Sequence, residues 1–150
     1  PWVSCAEAFL GHGDRAFEIY RKICPAYLEE ISEIHKTEPY VYSQMVAGRD
    51  AQSEGERKNR WLTGCAAWTF VNASQFIMGI TPTLDGIKIN PCLPKEINEF
   101  TATRKIGDTT LIISGRRSNE YSLTVDGERI EGNTVKKESG KTMEVEVTYL

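Results

Sequence analysis

The sharpest chemistry-bearing group in the chain is Trp61-Leu62-Thr63-Gly64, which opens an uncharged run. Thr63 is the residue type that caps a helix N-terminus, and Gly64 lets a ligand approach the backbone closely. Unsatisfied N–H groups and the positive dipole end make such a helix start an anion site. The same four residues also read as an ordinary capped helix with a packing glycine. A second group is Tyr40, Tyr42 and Gln44, alternate positions of an extended segment that would share one face. Two rings and an amide suit a sugar, because rings pack on sugar faces and amides bond hydroxyls. A half-buried strand edge would look the same. Arg49, Lys58 and Arg60 could add positive potential for an anion, or stand solvated in a loop.

Other reactive types lack a productive spacing. His12 and His35 have no metal-like interval to each other or to a cysteine, and read as surface or turn residues. Glu7 and Glu38 are possible catalytic carboxylates, with Glu38 stiffened by Pro39, but no second carboxylate pairs with either at a recognisable separation. The sequence contains no G-x-S-x-G, HExxH, P-loop or GxGxxG pattern.

The whole chain bounds what these residues can serve. Its 150 residues suit one average domain or two small ones, and 40% hydrophobic against 26% charged residues supports a packed core. A net charge of −3 gives no electrostatic reason for binding nucleic acid or an anionic membrane. Cys5, Cys24, Cys65 and Cys92 are too few for a disulfide scaffold and never stand as CxxC. With no signal-peptide pattern, a reducing cytoplasm is the expected compartment. Eleven of the 14 aromatic residues fall within residues 1–94, which suggests two architectures in one chain. The start at Pro1-Trp2, without an initiator Met and directly in a helical pattern, suggests a piece of something longer.

The elements that must position these residues follow from periodicity. Val3 to Leu10 reads as a helix, broken at Gly11-His12-Gly13. Asp14 then caps a second helix to about Cys24, stopped by Pro25. The pair makes an αα-hairpin. The stretch around Pro39 to Met45 reads as extended, and 48–60 as a long polar loop. Cys65 to Met78 reads as one helix, apolar nearly all round and therefore in need of helices about it. It is too short and too interrupted to span a bilayer. Beyond Thr81 the pattern alternates with period two through Thr101–Ile106, Thr109–Ser114, Tyr121–Val125 and Met143–Tyr149. Asp126-Gly127 marks a tight turn, and short antiparallel strands in a β-sandwich are expected.

Four successive blocks carry a resemblance: PWVSCAEAFLGHGDRAFEIYRKICP, EPYVYSQMVAGRD, NRWLTGCAAWTFV and ITPTLDGIKINPCLP. In this order they resemble the C-terminal portion of glycoside hydrolase family 94, the inverting disaccharide phosphorylases. The resemblance is dense over 1–106 and thins in the later strands. It implies an α+β fragment: residues 1–80 as the last helices of an (α/α)6 barrel, and 81–150 as a C-terminal β-sandwich-like domain. It also implies phosphorolysis of a β-linked disaccharide such as cellobiose, giving α-D-glucose 1-phosphate and glucose. Phosphate is then a substrate, with no metal or other cofactor. The parent would be a cytoplasmic homodimer that binds neither nucleic acid nor membrane.

Carried over position by position, the family's phosphate-binding Gln falls on Gln44 and its Thr-Gly pair on Thr63 and Gly64. The general acid, the remaining phosphate ligands and most sugar ligands belong upstream of Pro1, so no residue of this chain is assigned a catalytic role. Arg60 and Cys65 flank the WLTG block where small or hydroxyl residues are expected, and His12 fills a turn usually held by Arg, Lys or Asn. Chitobiose, laminaribiose or cellodextrins are alternative substrates. A non-catalytic structural or carbohydrate-binding module is the alternative from another class.

Overall fold

The computed structural model describes residues 1–61 and 64–150. Helix α1 (Trp2–Phe9) and helix α2 (Gly13–Ile23) form the expected hairpin, packed through Ala8 and Ala16. α2 begins two residues earlier than expected, with His12 rather than Asp14 at the cap position and no side-chain cap. Asp14 lies in the first turn, where a carboxylate is favoured by the helix dipole. There its Oδ1 accepts the backbone N–H of Lys95 at 2.7 Å, which ties the helix to a distant loop. Short 3-10 turns at Pro25–Tyr27 and Glu29–Ile31 lead to the one-turn helix α3 (Ser32–His35).

Strand β1 (Ser43–Val46) pairs antiparallel with β2 (Arg57–Arg60). The polar run expected to be one long loop is thus a hairpin whose far end returns as a strand. Ladder bonds decide this, and they need no hydrophobic pattern to form.

Helix α4 (Cys65–Val71) continues without a break into a π-helical segment, Asn72–Ile77. Asn72 is fully buried, and its Nδ2 donates to Ser4 Oγ at 2.7 Å, which donates in turn to the Ala16 carbonyl at 2.7 Å. That relay locks the π segment against both helices of the hairpin. Among the described residues, part of the long helix surface stays exposed. Phe70 is 61% exposed, and Trp68, also outward, meets Trp2 edge-on at 5.6 Å.

The remainder is β-structure. β3 (Ile80–Pro82), β4 (Gly86–Ile89) and β9 (Thr134–Lys136) form one sheet in the order β3-β4-β9. β5 (Glu99–Ile106), β6 (Thr109–Arg117), β7 (Ser122–Val125), β8 (Glu128–Ile130) and β10 (Thr142–Tyr149) form the other, in the order β5-β6-β10-β7-β8. Their inward side chains make one core, including Ile87, Ile89, Leu111, Ile113, Leu123, Val135 and Val145. Asp126 and Gly127, both at positive φ (49° and 84°), make the tight β7–β8 turn. The strands are not all antiparallel as expected, because β10 runs parallel to β6 over its whole length. The chain needs the β7–β8–β9 excursion to return in that direction.

A second core cluster, Ala8, Ala16, Ile77, Leu93 and Tyr149, joins the helices to the β-structure. Arg117 clasps the junction. Its Nη2 donates to the carbonyls of Leu93, Pro94 and Ile97 at 2.8–3.2 Å, and its guanidinium lies 5.0 Å over the Tyr149 ring. No helix among the described residues is long and apolar enough to cross a membrane.

Candidate functional site

Three of the singled-out groups meet along the β1–β2 hairpin and the start of α4. Ser43 pairs with Arg60 and Met45 with Lys58, which sets Gln44 opposite Asn59. Gln44 is exposed, and its Oε1 accepts the Asn59 amide at 3.2 Å, a bond that does not use its own NH2 donors. Gly64 holds the cap position of α4. The cap position is held by a residue without a side chain, where Thr63 was expected. Thr63 itself lies outside the described residues. Gly64 is exposed in an ordinary helical conformation (φ −70°), and its carbonyl accepts the Trp68 N–H at 2.9 Å.

The connection is conformationally costly. Asn59 (φ 53°) and Trp61 (φ 68°) are both left-handed without being glycine. Asn tolerates this through its short polar side chain, whereas an aromatic residue does not, so Trp61 stores on the order of 1–3 kcal/mol. Its ring packs edge-on against Tyr40 at 6.1 Å, and both rings stand about two-thirds exposed.

Tyr40 and Tyr42 do not share a face as expected. β1 begins only at Ser43, and a turn in which Val41 N–H bonds Glu38 carbonyl at 3.0 Å breaks the alternation. Tyr40 is left outside. Tyr42 turns inward, and its hydroxyl donates to Cys24 Sγ at 3.4 Å. Burial and the bond to Cys24 push the Tyr42 hydroxyl well above its usual pKa, and burial raises neighbouring Tyr20 to about 12. Against this cluster lies Arg57, 4% exposed, with Nη1 3.4 Å from the Ile23 carbonyl and Nε without a partner. Burial lowers its pKa, opposed by Cys24 and Tyr42. Burial and then the Arg57 charge lower His35.

The proposed positive loop is largely compensated. Lys58 Nζ lies 2.6 Å from Glu56, Lys36 3.6 Å from the same carboxylate, and Arg60 donates to the Lys36 carbonyl. Lys58 and then Lys36 hold Glu56 below the usual carboxylate range. Arg49 is exposed in the hairpin loop. His12 Nδ1 and Glu7 Oε2 are bonded at 2.7 Å on the surface. Glu38 keeps one buried oxygen without a partner. Among the described residues no His, Cys, Asp and Glu cluster could hold a metal ion. Sequence reasoning passed over Arg57 and Asn59, both inside a run whose composition reads as solvated loop. The Asn, a type that accepts left-handed backbone, was the one available signal there.

A profile described as the glycosyl hydrolase 94 superfamily, catalytic domain, matches residues 1–79, so the chain belongs to that superfamily. Among curated proteins it is similar to an N,N'-diacetylchitobiose phosphorylase of Vibrio furnissii, 36% identical over 90% of this chain and 17% of the relative. A protein of the same name from Vibrio proteolyticus is 32% identical over 98% of this chain and 19% of its own length. A solabiose phosphorylase of Paenibacillus borealis is 34% identical over 85% of this chain and 17% of its own. The chain thus spans under a fifth of the length of the curated relatives it matches.

Proposed function

We propose that this chain forms part of the phosphate site of an inverting disaccharide phosphorylase. The observation that carries the reading is the exposed Gln44 amide, whose Oε1 accepts the Asn59 side chain, on the hairpin that precedes α4 in the chain. An amide donor and a helix N-terminus offer hydrogen bonds to phosphate without an opposing negative charge. Gln44, Thr63 and Gly64 are the residues assigned to it. In the reaction a phosphate oxygen bonds the anomeric carbon as the glycosidic C–O bond breaks on the opposite face. The proton for the departing oxygen comes from an acid supplied outside this chain. Phosphate thereby takes the place of the water and base of a hydrolase.

The family membership and the phosphorylase relatives support this reading. Residues 1–80 would be the closing helices of an (α/α)6 barrel and 81–150 a C-terminal β-domain, in a cytoplasmic homodimer that needs no metal. Cellobiose is the substrate assigned. A second reading, N,N'-diacetylchitobiose, is favoured by the two Vibrio relatives. Incubating the full-length protein with inorganic phosphate and each disaccharide, and measuring sugar 1-phosphate, tests both. Turnover of cellobiose is expected. Release of monosaccharides without phosphate would overturn the phosphorylase reading.

A further inference from the structure

Of the eight strand residues in the β1–β2 hairpin, Arg57 alone is buried. A two-stranded hairpin is barely stable by itself, so what holds it to the body decides where its tip residues stand. Beside the surface contacts of Arg60 and Glu56 with Lys36, the buried hold here is a cation in place of an apolar side chain. Among the described residues no carboxylate reaches ion-pair distance of Arg57. Its counterpart is the C-terminal end of α2, where Nη1 meets the carbonyl of Ile23, the last helical residue. The final carbonyls of a helix lack intrahelical partners and carry partial negative charge, which a guanidinium answers. Tyr42 and Cys24 flank the group, joined by a 3.4 Å bond.

From this seat the register runs straight to the site. Arg57 pairs with Val46 and Lys58 with Met45, and next come Asn59 and Gln44, joined through their amides. We propose that Arg57 is a positioning residue for Gln44: by seating the hairpin on the end of α2 it sets where the Gln44 amide meets phosphate. This rests on the assignment of Gln44 to the phosphate site. Arg57 itself, under the hairpin, does not touch the substrate. A planar fork bonded to a carbonyl and enclosed on its sides fixes orientation as well as distance, which an ammonium or an apolar chain of similar length does not.

The test uses the full-length protein and initial rates of sugar 1-phosphate formation with phosphate and disaccharide varied separately. Arg57→Met is expected to raise the KM for inorganic phosphate on the order of tenfold, as displaced contacts do, with the disaccharide KM unchanged. Arg57→Lys is expected to recover part of the loss, and it carries the test if the methionine variant does not fold. Adding Arg57→Met to Gln44→Ala is expected to raise the phosphate KM no further, because the one acts through the other. Equal rises in both KM values, full additivity in the double variant, or no change would overturn the positioning role. If Gln44→Ala itself leaves the phosphate KM unmoved, the assignment of Gln44 falls, and the role of Arg57 with it. If Gln44→Ala raises it and Arg57→Met does not, only the proposal for Arg57 fails.

Discussion

Asn72 donates to Ser4 across 68 residues of sequence, and the 2.7 Å bond is wholly enclosed. The Ser4 hydroxyl donates in turn to the Ala16 carbonyl, so one buried relay holds α1, α2 and the π segment together. The Asn72 Oδ1 has no partner, which makes the remaining bonds the residue's whole compensation for burial. Ser4→Ala should therefore strand the Asn72 amide and cost about 1–3 kcal/mol in urea unfolding. A loss within experimental scatter would show that the relay is dispensable.

The clasp at Arg117 predicts a second effect. Nη2 serves three carbonyls and Nη1 a fourth, that of Leu150, while the plane lies over Tyr149, a combination that a single ammonium nitrogen does not reproduce. Arg117→Lys should lower stability by about 1.5–3 kcal/mol despite keeping the charge. Denaturant melts followed separately by helix and tyrosine signals should lose their coincidence, since the joint between helices and sheets is what weakens. Coincident, unshifted melts would argue against it.

At Gly79 the backbone is left-handed (φ 69°), and a Cβ there would stand 2.0 Å from the Asn90 carbonyl oxygen. That oxygen belongs to the backbone and cannot swing aside. Gly79→Ala should cost more than about 1 kcal/mol, since neither the conformation nor the space admits a side chain. Soluble yield and thermal midpoint report it, and an unchanged midpoint would refute the close approach.

Tyr121 makes stability fall at high pH. Its hydroxyl donates to the Ile89 carbonyl at 2.7 Å, and burial raises its pKa to about 12. The unfolded phenol ionises near pH 10, so above that point the unfolded state has fewer protons than the folded one. Stability is then complete below about pH 10 and declines as pH rises toward 12. Tyr121→Phe should flatten part of that decline. Tyrosinate absorbance should lose one late-titrating group with the substitution, while those of Tyr20 and Tyr42 remain. An unaltered titration curve would mean that another tyrosine is responsible.

Substituting Gln44 tests the site itself. Gln44→Ala should raise the phosphate KM of the full-length protein about ten- to a hundredfold, the range for losing a bond to a charged group. Asn59→Ala should produce a smaller rise in the same direction, because it frees the Gln44 amide to rotate. A larger change in the disaccharide KM than in the phosphate KM would move Gln44 to a sugar-binding role.

Much was legible in order and type. The helix break at Gly11-His12-Gly13, the stop at Pro25 and the Asp126-Gly127 turn are local chemistry, and they stand where the residues demand. The alternating strands from Thr101 onward are likewise legible, because a half-buried sheet imposes period two on its own sequence. The hairpin closed by Arg57–Arg60 was not. Its returning strand is polar, ladder bonds are independent of side-chain type, and nothing in GRDAQSEGERKNR marks one arginine as buried.

The sequence by itself determined that helices precede strands, that Gln44 and the WLTG block stand close in the chain, and that their types suit an anion. Tertiary structure decided the rest. It turned Tyr42 inward and left Tyr40 outside, set Asn59 against Gln44, ran β10 parallel to β6, and placed a cation beneath the hairpin. The physical reason is range. Caps, turns and periodicity act over a few residues and are written there, whereas a buried charge is settled by the distant carbonyls that enclose it.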